Sequence, residues 1–190
     1  MNRRRAIGVG AGSGWALTGA AGGRPSAASE LKVSVVLPGL YGLDGTLAHP
    51  PTLRNAGYGL RFVVVVENVS PAAVYVWAEG NSEGHGTLSF EVAAGRAAST
   101  VRRVEKEWSK NVVRLERLAP GGLHARVVAY DPPAGAPREW EGWPFGAKDS
   151  RVEVTLRAVF EQAKAGAGGK VMPWAGRVVS PEYKVTLLNA

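Results

Sequence analysis

The sequence predicts an all-β protein, and three observations carry that prediction. Apolar residues from position 31 onward recur with period two, which is the spacing of a strand with one buried face. β-Branched residues are concentrated in short runs that Gly, Pro, Asn and Asp separate. The 190 residues lie in the usual range for one domain and include no cysteine, so packing must stabilise the fold without disulfides.

Nine runs fit the strand template, at 31–37, 59–67, 73–79, 86–92, 99–105, 111–118, 123–130, 151–161 and 177–188. Apolar and polar residues alternate in 151–161, which predicts a strand of a one-sided sheet. The run 62–66 is apolar on both faces and predicts a central strand that is covered on both sides. Short strands at regular spacing indicate an immunoglobulin-like antiparallel β-sandwich of about 8–9 strands, with closure into a barrel as the open alternative.

The first 28 residues have the organisation of an export signal. Three arginines at positions 3–5 precede a weakly apolar stretch at 6–21 and then small residues. The stretch is too short and too rich in glycine to span a bilayer. We therefore expect cleavage after Ala28 and one extracytoplasmic domain at 29–190, in the periplasm, at the cell surface or secreted. The adjacent arginines resemble a twin-arginine signal, and the general secretory route and a disordered basic tail are the alternatives.

Charge argues against nucleic acid as a partner. The whole chain has a net charge of +7, from 23 basic and 16 acidic residues. Four arginines lie within the predicted signal, so its removal leaves 19 basic residues against 16 acidic ones and a net charge of +3. Basic and acidic residues alternate along the remaining strands, as is typical of solvated strand faces. We expect no nucleic-acid binding and no membrane span after signal removal.

The sequence contains no pattern typical of a catalytic or metal site. His49, His85 and His124 lie far apart and form no zinc motif. The segment 79–86 echoes a calcium-binding loop, but Phe90 stands where that loop needs a bidentate carboxylate, so an ordinary glycine turn is favoured. No serine lies in a nucleophile elbow, and no phosphate-binding glycine pattern follows a strand. We expect no enzyme and no cofactor.

The loop 138–146 is the strongest interaction candidate in the sequence. Trp140, Trp143 and Phe145 lie in a proline-bounded connection together with Arg138. Such clusters supply rigid contact area for proteins or for stacking on sugar rings. The alternative is a core plug, in which the loop folds its aromatic rings over an open end of the sandwich.

Two resemblances add to this interpretation. The layout from "LRFVVVVENVS" through "TLSFEVAAG" to "VEVTLRAVFE" resembles a group of secreted bacterial immunoglobulin-like sandwich proteins of unassigned function, which implies a fold and an export route. The section 60–130 is similar in outline to bacterial proteinase-inhibitor sandwiches of the BsuPI type. The outline is a strand that ends in an Asn-x-Ser turn, a second strand, and "LAPGG" before another strand.

Together these features predict a non-enzymatic extracytoplasmic β-sandwich that serves as a binding or structural module of the cell envelope. An envelope protein or polysaccharide is the expected partner, with the loop 138–146 as the contact. A secreted protease inhibitor of the BsuPI-like type is the alternative, which the second resemblance implies. An enzyme would need His124, Glu139 or Glu141 to converge with another polar residue in a cleft.

Overall fold

The computed structural model describes residues 29–39, 50–55, 61–112, 114–129, 139–163 and 171–189. Within these residues the chain forms twelve strands and one four-residue helix, which confirms the all-β prediction. None of the described helical residues belongs to a helix long and apolar enough to cross a membrane. The predicted export signal lies outside the described residues.

The elements follow one another along the chain with short connections inside the described segments. In order they are β1 (Leu31–Val36), β2 (Thr52–Asn55), β3 (Arg61–Asn68), β4 (Val74–Trp77), α1 (Ser82–His85), β5 (Leu88–Ala94), β6 (Ala97–Arg103), β7 (Leu115–Leu118), β8 (Leu123–Ala129), β9 (Trp140–Glu141), β10 (Arg151–Gln162), β11 (Gly176–Val179) and β12 (Tyr183–Asn189).

The strands form three sheets. One has the order β1-β3-β8, one has the order β2-β12-β10-β5-β6-β9 with β11 also paired to β10, and β4 pairs with β7. All these pairs are antiparallel except β2 with β12. Val33 and Val64 of the first sheet and Phe90 and Leu156 of the second belong to one buried hydrophobic cluster. The two larger sheets therefore share a core, as the layers of a β-sandwich do. The immunoglobulin-like connectivity stays a prediction.

The alternation predicted for 151–161 is confirmed in β10. Leu156, Ala158 and Phe160 are fully buried, whereas Arg151 and Arg157 are exposed. This strand lies inside the largest sheet, between β5 and β12. One face of β10 therefore contributes to the core, and most of the other face carries polar side chains to solvent.

The prediction for β3 is only half right. The strand is central, between β1 and β8, and Phe62, Val64 and Val66 are buried. Val63 and Val65 on the opposite face are half-buried, so the described residues do not cover both faces. β-Branched residues are favoured in strands because they fit the pleated surface, even where the second face is not covered.

The predicted strand 177–188 is interrupted at Ser180. β11 and β12 pair in succession with the same edge of β10, and three residues at 180–182 lie opposite two at 157–158. One extra residue on one strand is a β-bulge, and Pro181 suits it because proline has no N–H for the ladder. Ser180 stabilises the bulge, since its Oγ accepts a hydrogen bond of 2.9 Å from the Ala158 N–H.

A buried asparagine joins the two motifs that carry the inhibitor resemblance. Asn68, at the end of β3, is fully buried, and its side chain donates to the Leu118 carbonyl at 2.9 Å. Its Oδ1 accepts from the Ser70 N–H at 3.0 Å. Its backbone N–H donates to the Gly122 carbonyl at 3.0 Å, and Gly121 N–H donates to its carbonyl at 2.8 Å. The Asn-x-Ser turn and the "LAPGG" turn therefore form one corner of the fold.

Candidate functional site

A cleft of about 600 Å³ lies beside the ends of β4 and β6. It is bounded by the segment 79–85, the segment 103–108 and Glu139. Its volume is in the range of small-molecule sites, and its lining combines charged and aromatic groups. The charged and aromatic side chains of the lining include Glu79, His85, Arg103, Lys106, Trp108 and Glu139.

The helix α1 carries His85 into the cleft. Asn81 is the N-cap of this helix, and its buried Oδ1 accepts from the Gly84 N–H at 2.8 Å. Gly84 packs so closely on the Ala78 carbonyl that a Cβ at this position would overlap it, so only glycine fits. The His85 Nε2 lies 2.9 Å from the Val104 carbonyl, which accepts its hydrogen. The helix therefore fixes the imidazole against the segment after β6.

Arg103 holds two carboxylates together in the cleft. Its side chain is only 7% exposed, and its Nη2 contacts the carboxylate of Glu79 and lies 2.8 Å from Glu139 Oε1. The guanidinium carbon lies 5.1 Å from the centre of the Trp140 ring. Burial lowers the pKa of Arg103 and the charge of Glu139 raises it. Charge-assisted pairs with a buried guanidinium are strong and directional, so both carboxylates have defined positions.

A second buried arginine lies behind this pair. Arg126 is 2% exposed, its Nη1 donates to Thr87 Oγ1 at 2.9 Å, and its Nε lies 3.9 Å from Glu79 Oε2. Burial, and next to it the positive charge of Arg103, lower the pKa of Arg126 to about 10 against the opposing charge of Glu116. Glu79 therefore lies near the guanidinium groups of both Arg103 and Arg126, and its negative charge compensates for placing these two positive charges close together.

His124 completes this inner network. The Arg126 Nε donates to His124 Nε2 at 2.7 Å, and His124 Nδ1 lies 2.5 Å from Glu116 Oε2. Since Nε2 accepts a hydrogen bond, the ring hydrogen lies on Nδ1 and is donated to Glu116. Burial and the charge of Arg126 lower the pKa of His124, and Glu116 opposes this shift. The neutral imidazole thus orients Arg126.

Trp108 supplies the aromatic wall of the cleft. Its ring meets His85 edge-on, with centroids 5.5 Å apart and an angle of 77°. The Lys106 ammonium lies 4.8 Å from the centre of the Trp108 ring. Trp108 is half-buried and is not part of the hydrophobic core cluster. Its ring is therefore available at the surface, next to the polar groups of the cleft.

The aromatic residues of the predicted contact loop occupy the core. Trp140 is fully buried and Trp143 is 8% exposed, with ring centroids 5.2 Å and 5.7 Å from that of Phe90. Phe145 is half-buried and packs against the same cluster. Arg138 lies outside the described residues. Trp140 and Trp143 therefore lie in the core, where the core-plug alternative puts them, and these rings offer no open surface for a ligand.

Trp140 is buried because β9 pairs with β6. Trp140 lies opposite Arg103, and this register turns the tryptophan ring inward. Gly142 follows with a φ of 92°, and a Cβ there would overlap the Thr100 carbonyl, so glycine lets the loop approach β6 closely. Glu139, immediately before β9, reaches the cleft instead.

Of the three residues weighed for an enzyme, Glu139 meets other polar groups in the cleft, where Arg103 holds it beside Glu79. Glu139 lies in the cleft, His124 belongs to the inner network, and exposed Glu141 pairs with Arg102 at 3.3 Å. Sequence reasoning did not select Arg103, and it considered Glu79 only as part of the calcium-like segment 79–86. The signal for Arg103 was its place in β6, because the alternation that buries Val101 also turns residue 103 inward.

The calcium-like segment 79–86 does not gather ligands. Asn81 uses its side-chain oxygen as a helix cap, and Glu83 Oε2 accepts from Ser82 Oγ at 2.7 Å on the surface. Across the described part of the chain, no three His, Asp or Glu side chains are placed to hold a metal ion. His49 lies outside that part. The segment is a capped helical turn that supports the cleft.

No protein-family model, curated protein or solved structure matches this chain. The two resemblances noted for the sequence therefore stay predictions. The described residues define a β-sandwich with an aromatic and charged cleft beside the ends of β4 and β6.

Proposed function

We propose that this chain is a non-enzymatic, extracytoplasmic binding module of the cell envelope, and that the cleft beside Trp108 is its binding surface. The observation that carries the proposal is the pair of carboxylates on Glu79 and Glu139, which buried Arg103 holds in place next to an accessible aromatic ring. Preorganised polar groups beside an aromatic surface are typical of recognition sites, because they lose little conformational freedom on binding.

The arrangement supports binding better than catalysis. Glu79 and Glu139 both contact Arg103, and His85 donates to a backbone carbonyl. Covalent catalysis by a hydroxyl or thiol needs that nucleophile within hydrogen-bonding reach of a base, and the residues that line the cleft include no serine, threonine or cysteine. The extracytoplasmic location depends on the predicted export signal at 1–28.

The protease-inhibitor alternative finds less support in the cleft and in the corner that Asn68 forms with the turn at 118–122. An inhibitor needs an exposed loop that enters a protease cleft, whereas the motifs that carry the resemblance meet at buried Asn68. Inhibition of any protease in a broad panel by the purified protein would favour that alternative over the binding module.

The experiment compares two neighbouring glutamates. The purified protein is immobilised and exposed to envelope proteins and polysaccharides of the source cell, with Glu139→Gln and Glu141→Gln variants in parallel. Glu139 lies in the cleft and Glu141 is exposed outside it. We expect Glu139→Gln to weaken capture by about tenfold, since a hydrogen bond to a charged group contributes about 1.5–3 kcal/mol. Glu141→Gln should capture as the parent does.

The proposal fails if folded Glu139→Gln and Glu141→Gln retain the same material with the same affinity as the parent. It also fails if the parent captures nothing from the envelope. Far-UV circular dichroism of both variants verifies that any loss of capture does not come from unfolding.

A further inference from the structure

We infer that the cleft beside Trp108 takes an uncharged glycan, bound through neighbouring hydroxyl groups and one stacked sugar ring. This inference rests on the proposed function and names its ligand class. Three properties of the cleft support it: its charge balance, its mixture of hydrogen-bond donors and acceptors, and its aromatic wall.

The charges in and behind the cleft nearly cancel. The lining carries Glu79, Glu105 and Glu139 with Arg103 and Lys106, and behind it the charge of Arg126 is offset by Glu116. A charged ligand of either sign would meet groups of its own charge and would lose hydration on entry. A neutral polar ligand avoids both costs. The balance therefore selects against acidic and basic polymers.

The cleft presents hydrogen-bond acceptors and donors side by side. A carboxylate has about four lone-pair sites, so Glu139 can accept from a ligand while it keeps its contact with Arg103. The exposed Lys106 ammonium is a donor that lines the same cleft. A hydroxyl group both donates and accepts, and neighbouring hydroxyls on one sugar ring can satisfy a carboxylate and an ammonium together.

Trp108 provides the surface for the sugar ring. Aromatic faces stack on the apolar C–H face of a pyranose, and the His85 ring lies nearly perpendicular to the indole with centroids 5.5 Å apart. The Lys106 ammonium covers one face of the indole at 4.8 Å, but its side chain is exposed and can move aside. The stacking surface therefore adjoins Glu139 and Arg103 within one cleft.

The test measures binding of the purified full chain to soluble polysaccharides by isothermal titration calorimetry. Neutral polymers of glucose, mannose, galactose and xylose are compared with acidic polygalacturonate and basic chitosan. We expect one or more neutral polymers to bind with an affinity that changes little between about 0.05 and 0.5 M salt. Trp108→Ala and Glu139→Gln should each weaken this binding at least tenfold, whereas Trp108→Phe should retain most of it and Glu141→Gln all of it.

The outcomes separate this inference from the proposed function. Glu139-dependent binding of only the acidic polymer, only the basic polymer or only an envelope protein overturns the neutral glycan and leaves the binding module intact. Neutral-glycan binding that survives Trp108→Ala and Glu139→Gln places the site elsewhere and overturns the inference. Failure to bind any glycan or envelope protein overturns both. If Trp108→Ala does not fold, Glu139→Gln and Trp108→Phe decide the outcome.

Discussion

Replacing Trp140 with alanine tests whether the loop 138–146 belongs to the core. The Trp140 ring is fully buried, packs 5.2 Å from Phe90 and lies 5.1 Å from the guanidinium carbon of Arg103. Alanine removes the indole and leaves a cavity that backbone pairing between β6 and β9 keeps from collapsing. The substitution should therefore destabilise the protein as a whole and also loosen Arg103 in the cleft.

The size of the effect follows from burial. Truncating a buried tryptophan to alanine costs about 3–5 kcal/mol, against a total stability of about 5–15 kcal/mol for a typical domain. In a protein of this length each kcal/mol corresponds to about 2–4 °C of Tm, so we expect a decrease of about 6–20 °C. Phe145→Ala is the matched control, because that ring is half-buried and its loss should cost markedly less.

Urea unfolding followed by far-UV circular dichroism gives the free energy of unfolding of the parent and both variants. A lower midpoint with an unchanged slope would show lost stability without a change in the denatured state. If the free energy of unfolding of Trp140→Ala lies within about 1 kcal/mol of the parent's, the ring does not fill the core, and the description of the loop as a plug is refuted.

Two further predictions concern polar groups. Asn68→Ala should lose about 2–4 kcal/mol in urea unfolding, because it leaves the buried Leu118 carbonyl without its donor, whereas exposed Asn111→Ala should change stability by less than about 0.5 kcal/mol. Burial and Arg126 lower the pKa of His124, so the unfolded chain binds its proton first as pH falls. The contribution of His124 to the free energy of unfolding should be complete above about pH 6.5 and should be lost below it, as pH falls towards the lowered pKa of the folded state. We expect His124→Gln to flatten this loss of stability. An unaltered pH profile in the variant would exclude His124 as the cause.

Sequence patterns predicted most of the strands because burial of one sheet face requires period two. They missed β2 and β9, which contain four and two residues and are held by pairing with β12 and β6. A segment so short carries too few positions for a period to be recognised. The bulge at Ser180 was also missed, although the buried positions change from even numbers before it (Val178 and Ser180) to odd numbers after it (Val185 and Leu187).

The site was harder to predict than the fold. The aromatic residues at 140 and 143 were singled out as a cluster, but composition alone does not tell whether such rings face a ligand or a core. Arg103 and Arg126 carried the informative signal, because each is a charged residue at an inward position of a strand. Which carboxylates would neutralise them depends on tertiary contacts between distant segments, and no local pattern contains that information.

The position of β12 has a consequence for the order of folding. This strand lies between β2 and β10, so its pairing joins a segment near residue 52 to one near residue 188. Contacts between residues so far apart in sequence form late and slow the search for the native state. Until β12 is in place, the edges of β2 and β10 stay open to other chains, as unpaired edges do in aggregation-prone intermediates. Removing residues 183–189 should therefore yield a chain that collapses and associates with itself, even though the cleft beside Trp108 lies on other strands.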